Sequence, residues 1–266
     1  LNNILVAHVE GGEVSGTIDE LIRHAVSKMS HIHFVANSEA KTRLVQLGEL
    51  PGSIYTIGSP DLDLMNPEML QSIDTVKKHY NISYKDYAIA MFHPVTTEHQ
   101  NIKENVQSFV NALLDSGDNY IVIYPNNDLG SSEILDEYIR MNDNSRITIF
   151  PSIRFEYFLV FLKNAEYMIG NSSAGVREAP YYNVPTVDIG SRQNNRTKGP
   201  SIFTANDNYN SISHAISCAK EFKSTGGDMS SDFGEGNSDT KFLEILNDCN
   251  IWNINKQKQV YVKYLL

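Results

Sequence analysis

Two carboxylates, a histidine and a loop of small residues are the side chains here whose types and spacing suit catalysis. Glu10 stands in Glu10-Gly11-Gly12-Glu13, directly after the apolar run Ile4–Val9, and a carboxylate at the end of a buried strand rarely goes without a partner. Asp19 falls in the first turn of the helical pattern Ile18–Met29. There the helix dipole favours the ionised form and hence a base, although an acid at that position is also ordinary helix decoration. Together they form a candidate acid–base pair. His93 follows the run Tyr87–Phe92 and reads either as a working imidazole or as a histidine satisfied on the rim.

The run Gly170-Asn171-Ser172-Ser173-Ala174-Gly175 lies between the strand pattern Tyr167–Ile169 and a helix expected to begin near Val176. Small residues leave backbone N–H groups free to face an anion, and the helix N-terminus adds partial positive charge. No Lys-Ser/Thr pair follows, so this is not a Walker loop. It is not GxGxxG either, so nothing supports NAD. The same residues also suit a plain tight βα turn. Glu178, just inside that helix, has the chemistry to take a ribose hydroxyl pair, or serves as a first-turn acid favoured by the dipole. Asn126, in Pro125-Asn126-Asn127-Asp128, lies at a further polar strand end. His31 and His33 share a strand face without a third ligand, so no metal site is expected.

These residues must be positioned by the elements around them. Short β-branched runs of the kind found in buried parallel strands occur at Ile4–Val9, Ile32–Ala36, Ile54–Ile57, Tyr87–Phe92, Tyr120–Tyr124, Ile147–Phe150, Tyr167–Ile169 and Thr186–Ile189. Helical patterns lie between them at Ile18–Met29, Asn101–Leu114, Ser131–Met141 and Ser211–Phe222. The first carries the stripe Leu21, Ile22, Ala25, Val26 and Met29 and a capping box of Thr17 with Glu20. Strand–helix alternation predicts a doubly wound parallel α/β fold. In such sheets ligands bind beyond the carboxyl ends of the strands, where the polar residues above fall. The Gly/Ser/Asp-rich stretch Ser224–Thr240 reads as a loop, and a terminal helical piece holds Trp252. Residue 1 is Leu and a strand is already under way at Ile4, so residues 1–75 are expected to be the back half of a domain. Residues 76–249 then form a second domain, and 250–266 a tail returning to the first.

The 266 residues are 41% hydrophobic, 20% charged and 10% aromatic, which suits a packed core and not a disordered chain. A formal charge of −10 argues against a nucleic-acid partner, which would need a basic face. Cys218 and Cys249 are too few for a disulfide scaffold or a metal knuckle. The longest apolar run, Tyr157–Leu162, is far short of a membrane span. The expectation is a soluble cytoplasmic protein with no membrane partner.

The run from His8 through Glu10-Gly11-Gly12-Glu13-Val14-Ser15-Gly16-Thr17-Ile18-Asp19-Glu20 to Ala25 closely resembles the hydrolysing UDP-N-acetylglucosamine 2-epimerases of bacterial sialic-acid capsule synthesis. Further matches are Gly58-Ser59-Pro60-Asp61-Leu62-Asp63, Phe92-His93-Pro94-Val95-Thr96-Thr97, Pro125-Asn126, Gly170-Asn171-Ser172-Ser173 with Gly175-Val176-Arg177-Glu178, and Gly190 with Arg192-Gln193 and Arg196. Gly234-Glu235-Gly236-Asn237 is similar to a late Gly-Asp-Gly signature, with Glu in place of Asp.

The resemblance implies two Rossmann-like domains facing a cleft, the glycosyltransferase-B arrangement, with the first domain incomplete in this chain. It also implies elimination of UDP to a 2-acetamidoglucal, then water addition to give N-acetylmannosamine, with no redox cofactor and commonly as a homodimer. Carried over by position, Glu10 and Asp19 match catalytic carboxylates and His93 a histidine near the leaving diphosphate. Ser172, Ser173 and Gly175 match the phosphate loop, Glu178 a ribose contact, Arg192 an arginine near the nucleotide and Asn126 a cleft position. A further Asp-Arg pair of the family lies in an upstream stretch not present in this sequence, so the chain alone is expected to be impaired. The alternatives are an epimerase for a diacetamido-trideoxy sugar nucleotide, a glycosyltransferase of the same fold, and an inactive nucleotide-sugar-binding module.

Overall fold

Runs of Ile, Val, Phe and Tyr that shed water on both faces become parallel strands, with helices laid over them. The computed structural model describes residues 4–14, 19–194, 199–225, 234 and 236–262. The chain divides into two compact units, one of Leu1–Pro67 with Ser231–Leu266 and one of Glu68–Ser230. The sequence reading set these divisions after residues 75 and 249; the structural ones fall at Pro67 and Ser231.

In the first unit, β1 (Ala7–Val9), α1 (Asp19–Met29), β2 (Ile32–Val35), α2 (Ser38–Gln46), β3 (Ile54–Thr56) and α3 (Pro60–Asp63) follow one another. The strands form a parallel sheet in the order β1-β2-β3. All four residues of β2 are buried. Among the described residues β1 is the end strand of this sheet, and Val9 is exposed. Helix α1 carries its apolar stripe on the exposed side in this chain. Leu21, Ile22 and Met29 are exposed while Ser27 is fully buried, its hydroxyl 3.0 Å from His8 Nδ1. The capping box at Thr17 lies outside the described residues, as do Arg196 and Glu235. His31 precedes β2 and accepts from Val6 N–H, while His33 lies within β2 and is fully buried.

The second unit contains α4 (Ile73–His79), β4 (Ala88–Met91), α5 (Ile102–Ser116), β5 (Tyr120–Ile123), α6 (Ser131–Tyr138), β6 (Ile147–Phe150), α7 (Phe155–Lys163), β7 (Met168–Gly170), α8 (Ala174–Tyr181), β8 (Thr186–Ile189), β9 (Ile202–Ala205) and α9 (Tyr209–Thr225). Its six strands are all parallel, in the order β6-β5-β4-β7-β8-β9. Counted from β4, this is the 3-2-1-4-5-6 order of a Rossmann-type sheet, with its switch point between β4 and β7. The core lies under α5 and α9, where Val106, Phe109, Val110, Ile212 and Ala219 are fully buried. The apolar run 157–162 lies within α7, which is buried from Phe158 to Leu162. Strand β9 and helices α2, α4 and α7 were not anticipated.

The chain then re-enters the first unit through α10 (Ser238–Asn247) and a 3-10 turn at Cys249–Asn253 that holds Trp252. Part of the stretch read as a loop is therefore helix. Its first turn is capped by a remote side chain: Asp63 accepts from Ser238 N–H, Ser238 Oγ–H and Asp239 N–H. Among the described residues no helix is long and apolar enough to cross a membrane.

Candidate functional site

In the second unit the carboxyl ends of β4, β5, β7 and β8 gather His93, Asn126, Asn171, Ser172 and Arg192 on one rim. The switch point lies between β4 and β7, where the two connections run away from each other and leave a crevice. Gly170 closes that crevice to a minimum. Its φ is +137°, and a Cβ there would lie 1.9 Å from the Met91 carbonyl oxygen, so only glycine permits the approach.

Asn171 follows and is 1% exposed. Its Oδ1 accepts from His93 N–H at 2.7 Å and its Nδ2 donates to the His93 carbonyl at 2.8 Å. The amide thus extends the β4–β7 ladder past its end. Its own carbonyl accepts from Arg192 Nη1 at 3.1 Å and Gln193 Nε2 at 2.7 Å. Asn126 N–H donates to His93 Nδ1 at 3.0 Å. Burial, with the Arg192 charge adding to it, pushes the His93 pKa down to about 4.

Helix α8 begins at Ala174, two residues earlier than expected, with Ser173 at its N-cap making no side-chain cap bond. No acidic side chain occupies its first turn, so the helix's positive end is not neutralised internally. Glu178 falls in the second turn and is buried, which sets aside its reading as a first-turn acid. Gly175 has a packing reason of its own, since a Cβ there would meet Thr186 Cγ2 at 2.6 Å. His93, Asn126, Ser172, Ser173 and Glu178 line one cavity of about 400 Å³, within the range of small-molecule sites. A larger cavity of about 740 Å³ is lined by Glu98, Asp188 and Asp207, and its acids make it hostile to a phosphate.

Glu10 and Asp19 belong to the first unit. Glu10 follows β1 with φ +62°, its N–H bonded to the Phe34 carbonyl at 2.8 Å and its carboxylate accepting from Ser59 Oγ–H. Asp19 is the first residue of α1. Among the described residues no three His, Cys, Asp or Glu side chains are grouped to hold a metal ion. Sequence reasoning passed over Asn171 and Ser59 as site residues. Both sit inside quoted motifs, but their partners are set by strand order and not by spacing.

The model of the UDP-N-acetylglucosamine 2-epimerase family matches residues 1–247. The UDP-N-acetylglucosamine 2-epimerase of Neisseria meningitidis serogroup B is 48% identical over 260 residues, covering 97% of this chain and 69% of that protein. The UDP-N,N'-diacetylbacillosamine 2-epimerase (hydrolyzing) of Legionella pneumophila is 36% identical, covering 79% of this chain and 56% of its own length. A crystal structure of the Methanocaldococcus jannaschii UDP-GlcNAc 2-epimerase in complex with UDP-GlcNAc and UDP is similar in fold. Its TM-score is 0.73 at 22% identity, covering 92% of this chain and 69% of that one.

Proposed function

The chain belongs to the UDP-N-acetylglucosamine 2-epimerase family, and from that premise we propose that it serves hydrolysing epimerisation, taking UDP-N-acetylglucosamine and water to N-acetylmannosamine and UDP. The observation that carries the proposal is the rim at the β4–β7 switch point. A donor-bearing histidine, two serines and an unneutralised helix N-terminus converge there on one cavity, as a departing diphosphate requires.

In this reading Glu10 and Asp19 handle the C2 proton and the incoming water. The C2–H and C1–O bonds break to give a 2-acetamidoglucal and UDP. Water then adds across the double bond with the opposite C2 configuration. His93, Ser172, Ser173 and Arg192 hold the diphosphate, Gly175 lets the helix end stand close, Glu178 takes the ribose hydroxyls and Asn126 shapes the cavity wall. No step needs a redox cofactor. The protein works in the cytoplasm as a homodimer and supplies an amino sugar for sialic-acid synthesis.

The test is incubation with UDP-N-acetylglucosamine in deuterated water, followed by NMR. Release of UDP with N-acetylmannosamine deuterated at C2 is the expected result. Turnover of only the UDP-diacetamido-trideoxy sugar would move the substrate to that named for the Legionella relative. UDP binding without turnover of either sugar would reduce the chain to a binding module.

A further inference from the structure

We infer that His93 acts as a neutral donor locked in the Nε2–H tautomer, and that Asn171 is the positioning residue that fixes it there. The inference deepens the epimerase reading and rests on it only in naming a diphosphate oxygen as the acceptor.

The argument is one of valence. Asn126 contributes a backbone N–H, which can only donate, so His93 Nδ1 must carry a lone pair. The ring's proton is therefore on Nε2 as long as the ring is neutral. Among the described residues no protein acceptor meets Nε2, and the ring lines the cavity that Ser172 and Ser173 also line. What a ligand meets is one N–H aimed by its own protein contacts.

Asn171 supplies the aim. His93 N–H must meet an oxygen and His93 C=O must meet an N–H, so the amide orientation is dictated by both ends at once. The bracket pins the backbone of residue 93 to β7, and Asn126 pins the ring. The carbonyl of the same asparagine holds Arg192 and Gln193, so three groups on two further strand ends are registered through one residue.

The charge state follows. The ionisable groups on the surrounding elements include Arg192 after β8, Asp188 on β8, Arg177 and Glu178 on α8, Asp128 after β5 and Glu98 after β4. Burial and then Arg192 hold the ring's pKa at about 4. An imidazolium would also put a proton on Nδ1, against the Asn126 N–H. His93 thus holds its proton through the reaction. It stabilises negative charge building on the leaving oxygen without transferring a proton to it.

The experiment is long-range ¹H–¹⁵N NMR of histidine-labelled wild-type protein, with His93 assigned through its backbone. The expected result is an Nε2–H imidazole that does not titrate between pH 8 and 5 and whose Nε2–H signal shifts on adding UDP. An Nδ1–H tautomer, or an imidazolium at pH 7, would overturn the inference whether or not the protein turns over. Asn171→Asp keeps the oxygen facing His93 N–H but loses the donor to its carbonyl and adds a negative charge. It is expected to bring His93 into titration between pH 5 and 8 and to lower kcat at pH 8 about tenfold or more, with a smaller change in KM. His93→Gln retains a neutral N–H and is expected to keep at least about ten times the kcat of His93→Ala. Equal loss in the Gln and Ala variants would mean that a proton is transferred, and would also overturn the inference. Absence of turnover with the Nε2–H state intact would instead fault the epimerase reading alone.

Discussion

The Ser59 hydroxyl donates to the Glu10 carboxylate at 2.5 Å, tying the residue after β1 to the turn that follows β3. Ser59 is buried, and Glu10 holds a left-handed backbone, φ +62°, that costs a non-glycine residue about 1–2 kcal/mol. In the proposed reaction this conformation holds the Glu10 carboxylate for its part in the chemistry.

Glu10→Gly therefore separates the two roles. Relief of backbone strain offsets the loss of the hydrogen bond from Ser59, worth about 1–3 kcal/mol. The expected outcome is an unfolding free energy within about 1 kcal/mol of wild type, with turnover reduced to background. Chemical unfolding and product release measure the two quantities. Retained turnover would remove Glu10 from the chemistry.

The cap on α10 gives a second prediction. Asp63 accepts three hydrogen bonds from Ser238 and Asp239, at 2.9, 2.6 and 2.9 Å, and Asn237 at the N-cap offers none from its side chain. Asp63→Ala is expected to destabilise the first unit by about 2 kcal/mol, and Asp63→Asn by less. Trp252 is the only tryptophan, and its Nε1–H donates to the Leu246 carbonyl at the end of α10. Its fluorescence should shift to the red in the alanine variant. An unchanged unfolding midpoint and spectrum would show that the cap is idle.

Much of this architecture was legible in the sequence, and the exceptions have physical reasons. Strands buried on both faces announce themselves by composition, as Ile121-Val122-Ile123 does within β5. The polar residues before α10 look like loop because Ser and Asp favour turns. Yet Ser238 and Asp239, at the end of that stretch, open a helix whose cap comes from Asp63, far away in the chain. The phosphate-type loop was visible in Gly170–Gly175. Asn171's grip on His93 was not, because it depends on β4 and β7 being neighbours, which no local pattern states.

The pH dependence of the first unit follows from a buried cluster. His33 Nε2–H donates to Glu49 at 3.0 Å, while its Nδ1 is buried without a partner. Burial drives its pKa to about 4, with Glu49 pulling the other way. Burial also works against the Glu49 carboxylate, but hydrogen bonds from Lys258 and Lys28 outweigh it and leave the pKa lowered. The unfolded histidine takes a proton near its ordinary 6.5, whereas the folded one waits until about 4. The unfolded chain thus binds more protons in that window, and stability falls as pH falls from about 6.5 to 4. The histidine's share of the slope approaches about 1.4 kcal/mol per pH unit. Glu49 adds its own loss only below about 4.5. His33→Gln keeps a donor for Glu49 and does not titrate. Urea midpoints followed by Trp252 should be flatter between pH 6.5 and 4.5 in that variant, and equal slopes would exclude His33 as the source.

Gly175 offers the sharpest choice between packing and ligand approach. A Cβ at 175 would meet Thr186 Cγ2 at 2.6 Å, with Oγ1 next at 3.5 Å, and both residues are buried. Gly175→Ala alone is expected to cost about 1–3 kcal/mol by overpacking and to weaken UDP binding as α8 is displaced from β8. Thr186→Ser removes the one carbon in the way and is expected to be mild on its own. In the double variant the alanine methyl occupies the vacated space, so stability should return to within about 1 kcal/mol of Thr186→Ser, a coupling of the size found for residues in contact. UDP affinity, measured by calorimetry on the same four proteins, then decides what the glycine is for. Affinity that recovers with stability assigns Gly175 to the seating of α8 on β8. Affinity that stays low in a restored fold means that the diphosphate itself needs the space a side chain would fill.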